Sequence, residues 1–352
     1  MELDGSIGEG GGQVLRVAVA LSAIISKPLH ITNIRKKRSN PGLRAQHIAA
    51  VKSVAEACGA RVEGLSTGST EIFFRPGPIR GGVFNLDTGT AGSTTLVLQS
   101  LLPVLAFADK PSSFEIRGGT NNPMAPPVEY LHHVLRPVLG AMGLKWDVEL
   151  VRRGFYPRGG GQVKGIVNPI QALKPLHMVN PPNIRRVDGL SYTCRLPKHV
   201  SERMAMTAER LLAENGYETS IQREALTPDD AKCSPDPGAG LILYAVGDGY
   251  AIGVDRLGKV GIPAETVAKE AVTSLLDELK TGTPVDRHLG DMLVIWAALA
   301  EGPTEYHVSS LTSHTLTSVE VCRHLLGVEI DVVGERDGRG LIICRGLGFK
   351  RF

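Results

Sequence analysis

The chain of 352 residues is long enough for about two domains, or for one large domain with an insertion, and for a sizeable core. Lysine plus arginine number 39 and aspartate plus glutamate 36, so no global field demands a polyanion and any such site must come from local clustering. Five scattered cysteines (Cys58, Cys194, Cys233, Cys322, Cys344) form no CxxC pair, which argues against a disulfide framework or a zinc site and for a reducing compartment. No signal peptide is seen, and the apolar run from Val17 to Ile25 is too short to cross a bilayer, so a cytoplasmic protein without a membrane segment is expected.

The first segment reads as a weak strand at Glu2–Asp4 and a helix over about Gln13–Ser26, with Leu15, Val19, Ser22 and Ile25 on one face. A strand follows at Leu29–Ile34. A helix is predicted over Pro41–Cys58, with Pro41 suited to its first turn and Ile48, Val51, Ala55 and Cys58 on one face. Strands at Arg61–Gly64 and Thr70–Arg75 complete the order βαβαββ.

The next segment repeats that order. It reads strand Val83–Asp87, helix Thr94–Phe107, strand Phe114–Arg117, helix Pro127–Met142, and strands Trp146–Arg152 and Gln162–Val167. Two units of similar length and one element order argue for an internal repeat. The run Gly-Gly-Gly-Gln-Val also occurs twice, at Gly10–Val14 and Gly159–Val163; the second copy lies between strands and reads as a hairpin. A third copy of the order appears near the end: helix Arg287–Ala300, strand Glu305–Ser309, helix His314–Leu326, strands Val328–Val333 and Gly340–Cys344. Its first strand is not where the spacing predicts. Between them, from about 180 to 274, the texture changes. Asn180-Pro181-Pro182-Asn183 reads as a linker, and strands Leu190–Leu196 and Leu241–Val246 bracket a helix at Ser201–Asn215 and a loose loop. This stretch is expected to be an inserted small α/β domain, leaving 1–179 and 275–352 as the main body.

Several residues could carry chemistry. Gly8-Glu9-Gly10-Gly11-Gly12 precedes a helix, so backbone N–H groups and the helix N-terminus could meet an anion, with Arg16 one turn in. Glu9 makes sense there if a divalent cation bridges it to a phosphate; the plainer reading is a tight turn with a solvated acid. Arg35-Lys36-Lys37-Arg38, with Arg44 on the next helix, is either a solvated loop or a grip on phosphates. His314 sits in Thr312-Ser313-His314-Thr315 at a strand-to-helix turn, where the helix dipole keeps an imidazole neutral and nucleophilic. On the pattern alone the plainer reading is a capping-turn histidine without a role. Asp291, on the preceding helix, could orient an imidazole or be an exposed acid.

Taken together, Gly8–Arg16, Arg35–Gln46, Arg80–Gln99 with Thr90-Ala91-Gly92-Ser93, Gly118–Pro127, Arg153–Pro157 and Ser313–Ser318 resemble the RNA 3′-terminal phosphate cyclase family, in its order and spacing over nearly the whole chain. The resemblance is weakest in 180–274. It implies an α/β (α+β) fold of three repeated βαβαββ units with a small α/β domain inserted in the third, which would explain the displaced strand. It further implies a cytoplasmic, ATP-dependent conversion of an RNA 3′-phosphate end to a 2′,3′-cyclic phosphate, through AMP carried on a histidine and then on the RNA. By the same resemblance His314 is the nucleophile and Glu9 the acid that holds Mg²⁺ or Mn²⁺ at the ATP phosphates. Arg16, Gln99, Pro126, Pro263, His288 and Asp291 fall at the nucleotide, and Arg35, Arg38, Arg44 and Gln46 at the RNA end. Ser318, where Asn is expected, and Met292, where a more polar residue is expected, depart from the family pattern. The neighbouring alternatives are a non-catalytic, cyclase-like ribosome-assembly protein and an enolpyruvyl transferase. The first would lack the histidine, and the second would need neither histidine nucleophile nor ATP. The oligomeric state is open.

Overall fold

The structure, a computed structural model, describes residues 1–247 and 249–351. It begins β1 (Glu2–Asp4), α1 (Gly12–Ile24), β2 (Leu29–Thr32), α2 (Ala45–Cys58), β3 (Arg61–Glu63) and β4 (Ile72–Arg75). Strand β2 buries Leu29 and Ile31 and turns His30 and Thr32 outward, the period-2 pattern of a sheet with one covered face. Helix α1 supplies the crossover that lets β1 and β2 pair in parallel; β2–β4 and β4–β3 are antiparallel, giving the order β1-β2-β4-β3. Helix α2 starts at Ala45, not at Pro41. The backbone at 42 and 43 is held elsewhere, Gly42 N donating to Ile34 O and Leu43 N to Ser69 O, so those residues cannot join the helical ladder.

The second stretch is β5 (Val83–Asp87), α3 (Thr94–Leu105), β6 (Ser112–Gly118), α4 (Val128–Tyr130), a π turn (Leu131–Leu135), α5 (Arg136–Ala141), β7 (Lys145–Arg152) and β8 (Gly161–Asn168). Its sheet has the order β5-β6-β8-β7, again one parallel and two antiparallel pairs. Next come β9 (His177–Met178), β10 (Arg186–Cys194), α6 (His199–Glu214), β11 (Glu218–Leu226), β12 (Gly238–Val246), β13 (Ala251–Leu257) and α7 (Ala264–Lys280). The chain ends with α8 (Arg287–Leu299), β14 (Pro303–Val308), α9 (Ser313–Leu326), β15 (Ile330–Gly334) and β16 (Gly340–Arg345). The two-residue β9 pairs in parallel with β14, and the sheet reads β9-β14-β16-β15. The remaining sheet, β11-β10-β12-β13, is built within 186–257.

Strands β11 and β13 and helix α7 were not foreseen. Only Ile221 of β11 is fully buried, so the strand has no apolar alternation to read. Helix α7 buries Ala264, Val267, Ala268, Ala271, Val272 and Leu275, a helical spacing that was there to be read. It runs through residue 274 to Lys280. Helices α6 and α7 cover their sheet with a core of their own. Elsewhere α1 packs against α2, α3 and α9, and α8 against α9 and α3, so the N-termini of α1, α8 and α9 are drawn together.

Candidate active site

Helices α1 and α9 lie side by side and bring together residues from the two ends of the chain. Helix α9 is capped by Thr312, whose hydroxyl accepts from Thr315 N at 3.1 Å. Helix α1 has Gly11 at its N-cap and no side-chain cap, so its first-turn N–H groups stay available to an anion. The glycines before it are required by close approach. A Cβ on Gly11 would stand 2.3 Å from Glu9 Oε1, and one on Gly12 would stand 2.4 Å from His47 Nε2.

In the first turn of α9, the His314 Nδ1 meets Gln13 Oε1, from the first turn of α1, in a short hydrogen bond. The Gln13 amide is itself fixed: its Nε2 donates to Ser318 Oγ at 2.6 Å and points to His314 O at 3.4 Å. The amide oxygen therefore faces the imidazole, and it can only accept. Nδ1 must carry the proton, which leaves the lone pair on Nε2. Burial, with the nearby Arg16, Arg38 and His288, holds the His314 pKa below its ordinary value against the opposing pull of Glu9, so the neutral form prevails at neutral pH. Ser318, a departure from the pattern of the resembled family, has a positive part here, as the partner that orients Gln13.

Glu9 Oε1 lies 3.2 Å from His314 Nδ1 and 2.9 Å from Arg38 Nη2, yet it is buried and no donor meets it with hydrogen-bond geometry. Its backbone N–H donates to Thr317 Oγ1 at 3.2 Å, and Lys37 Nζ donates to Gly8 O at 2.9 Å. Among the described residues no three His, Cys, Asp or Glu side chains gather to hold a metal by themselves. One under-satisfied carboxylate beside a helix N-terminus fits an ion whose other ligands are phosphate oxygens and water.

Behind this cluster Arg16 and Asp291, both half-buried, are near enough for their charges to interact. Burial lowers Arg16 to about 10, with Asp291 and Glu9 resisting. Burial raises Asp291 to about 8, Arg16 opposing and Asp286 and Glu9 assisting. Asp286 caps α8, accepting from His288 N and Leu289 N, and Tyr130 donates its hydroxyl to it at 2.6 Å. These groups open into a cleft of about 690 Å³ whose walls include Gln99, Pro126, His288 and His314. Its far wall comes from β12–β13, with Asp255 raised by burial to about 6.

The basic cluster stands on the opposite flank of Glu9. Burial and the neighbouring Arg44 and Arg38 lower the Arg35 pKa, the mark of cations that lack enough counter-charge. Arg35 Nη1 donates to the Asn40 and Gly42 carbonyls, which fixes its guanidinium. His47 lies between this cluster and the glycine loop. Arg44 N donates to its Nδ1, so Nε2 carries the proton and points at Gly12. Burial and the charges of Arg16, Arg35 and Arg44 push it down to about 3. Gln46 rests against Gly92.

Of the residues singled out in the sequence, Arg16, Gln99, Pro126, His288, Asp291 and His314 line the cleft, and Glu9 and Arg38 adjoin it. Arg35, Arg44 and Gln46 lie on the flank. Pro263 is the N-cap of α7 and does not line the cleft. Sequence reading passed over Gln13, although it stands in the same glycine run, and His47. It also passed over Arg153, quoted only as part of a motif. Arg153 is wholly buried, paired at 2.7 Å with both Glu129 and Glu224 and stacked 3.7 Å above the Tyr192 ring, so that it ties β7 to β10 and β11. Nothing in a lone Arg marks it for burial; the ring and both acids come from distant parts of the chain.

Comparison with known proteins points one way. The profile of the family described as RNA 3′-terminal phosphate cyclase matches residues 7–332. A protein of that name from Hyperthermus butylicus is 45% identical, over 99% of this chain and 98% of its own. Others of the same name are 44% identical in Desulfurococcus amylolyticus, over 99% of both chains, and 43% in Ignicoccus hospitalis, over the full length of both.

Proposed function

The chain belongs to the RNA 3′-terminal phosphate cyclase family, and from that premise we propose that it spends ATP to close an RNA 3′-phosphate into a 2′,3′-cyclic phosphate, with His314 as the carrier of AMP. The observation that carries this reading is the setting of His314: Nδ1 is held by Gln13, Nε2 has no partner among the described residues, the ring lines the cleft, and burial favours its neutral form. Nε2 attacks the α-phosphorus of ATP and pyrophosphate leaves. A terminal RNA phosphate oxygen then attacks the same phosphorus and releases the imidazole. The adjacent 2′-hydroxyl finally attacks the RNA phosphorus and expels AMP, so each step forms one P–O or P–N bond and breaks another. Displacement at phosphorus runs nearly in line, so the RNA phosphate enters from the side that pyrophosphate left. The first-turn N–H groups of α1, Arg16, Arg38 and the His47 Nε2–H can bear the negative charge there. Glu9 would hold Mg²⁺ or Mn²⁺, which when bound neutralises phosphate charge. Asp291, protonated by its burial, can donate to the nucleotide. Arg35, Arg44 and Gln46 would hold the RNA backbone.

We further read the three sheets of one strand order as three βαβαββ units and 180–274, continued by α7, as an insertion in the third. Incubation with α-labelled ATP tests the central claim. The protein should retain acid-labile, base-stable label, and His314→Ala should retain none; a labelled variant would overturn the assignment. An unlabelled wild-type chain that still binds RNA would favour a non-catalytic, cyclase-like binding protein. RNA ending in a 2′-deoxy, 3′-phosphate nucleotide should accept AMP and stop there.

A further inference from the structure

We propose that Tyr156 is the platform on which the base of the 3′-terminal RNA nucleotide stacks; the proposal rests on the cyclase reading and adds to it the place where the end is gripped by its base. Tyr156 and its neighbour Phe155 differ sharply. Phe155 is 6% exposed, whereas Tyr156 is 77% exposed, and both border the large cleft. Among the described residues neither the ring nor the hydroxyl of Tyr156 meets a partner.

An exposed tyrosine on a loose loop would mean little. This loop is bound at both ends. Phe155 N donates to Ser234 Oγ at 3.2 Å, Gly159 N donates to Phe155 O at 2.7 Å, and Arg158 donates from N and Nε to the Asp236 carboxylate at 2.8 Å each. The backbone is thus fixed while the ring is left facing solvent. A ring that is already ordered gives up little entropy when a base stacks on it.

The position selects the occupant. Gly159 rests on Ala91 so closely that a Cβ there would meet the Ala91 Cα at 2.8 Å, and Gln46 lies beyond, against Gly92. The loop of Tyr156 is therefore braced, through Ala91 and Gly92, towards Gln46, two residues from Arg44 on the flank from which the proposed mechanism brings the RNA phosphate. Aromatic faces accept any base, so this grip would tolerate any sequence. Met124, 93% exposed on the same cleft, stands in the left-handed region at φ 61°.

The test is a cycle of two changes on the full chain. Binding of a short single-stranded RNA with a 3′-phosphate is measured for wild type, Tyr156→Ala and Tyr156→Phe. Each is then repeated with an RNA whose 3′-terminal nucleotide is abasic but keeps its phosphate. Stacking predicts that Tyr156→Ala weakens the ordinary RNA about 5- to 100-fold. It should scarcely change binding of the abasic RNA, and Tyr156→Phe should bind both as wild type does. A 2-aminopurine at the terminus should lose fluorescence on binding to wild type and the Phe variant but not to the Ala variant. Equal losses on ordinary and abasic RNA would overturn the proposal, as would unquenched 2-aminopurine with the wild-type chain. Wild type that takes up AMP from ATP but shows no base effect sinks the stacking alone; wild type that neither takes up AMP nor prefers a 3′-phosphate end sinks the cyclase reading as well.

Discussion

Gln13 and His314 are 301 residues apart in sequence and share one hydrogen bond across the first turns of two adjacent helices. That bond sets which imidazole nitrogen bears the proton. Because Ser318 turns the Gln13 amide, tautomer control runs through three residues from two units of the chain.

Replacing Gln13 with Leu removes the acceptor and frees the ring. Formation of histidine-AMP should slow by about 10- to 100-fold, the scale expected when a partner that orients a histidine is lost. Ser318→Ala should cost less, since Gln13 keeps its bond to the ring. Single-turnover labelling measures both, and a Gln13→Leu rate equal to wild type would show that the tautomer is set elsewhere.

If Glu9 shares a divalent ion with the triphosphate, Glu9→Ala should slow self-adenylylation and move its metal dependence to higher concentration. A titration of Mg²⁺ or Mn²⁺ against labelling rate reads both effects. Wild-type rates at limiting metal would leave Glu9 as a turn residue.

Arg35 is lowered by burial and by its neighbours Arg44 and Arg38, of which Arg38 has Glu9 at 2.9 Å as counter-ion. Neutralising one that contacts RNA phosphate should weaken binding and lower the slope of log K against log salt by about 0.7 for a single strand. Little dependence on base sequence is expected from such contacts. Unchanged slopes in all three single variants would return the cluster to solvent.

Asp291 makes stability depend on pH. Its ordinary value is 3.8 and its folded value about 8. Below about pH 4 both folded and unfolded chains hold the proton. Between about 4 and 8 the unfolded chain releases it and the folded chain retains it, so this group's contribution to stability is lost as pH rises through that window. Asp291→Asn cannot ionise, so its stability relative to wild type should climb from pH 4 to pH 8 and then level. Denaturant melts across that range would settle the point, and parallel curves would refute it.

Burial disfavours the Arg153 charge, but Glu129 and Glu224 more than restore it, and its pKa is raised. Removing the cation alone, as in Arg153→Met, leaves Glu129 unpaired and Glu224 with Lys232 alone, and should destabilise the fold by about 3–5 kcal/mol. Adding Glu129→Gln and Glu224→Gln should recover much of that loss. A single variant as stable as wild type would mean that water already reaches the pair.

The periodic elements were legible where one face is apolar. The run Val83–Asp87 is β5 residue for residue, and the helical spacing gives α3 and α9 to within two residues of their ends. Helix α2 was started too early because proline at a first turn is a local signal, whereas the bonds that hold 42 and 43 come from Ile34 and Ser69. His314, Glu9, Arg16 and Asp291 were named from motifs. Gln13 and His47 were not, because their roles exist only once α1, α2 and α9 meet. A polar residue in a glycine run announces neither its partner nor its tautomer.

The path of the chain also fixes when the site can exist. Glu9, Gln13 and Arg16 lie on or just before α1 and are synthesised long before His314 of α9. Strand β9 must wait for β14, with the whole of β10 to α7 made in between. During synthesis the first two sheets can close while the third has only one short strand. On the proposed mechanism, a nascent chain that stops before α9 would therefore display the glycine loop and basic flank with no histidine to load. Under the proposed mechanism nucleotide could be held early, but covalent capture must wait for α9.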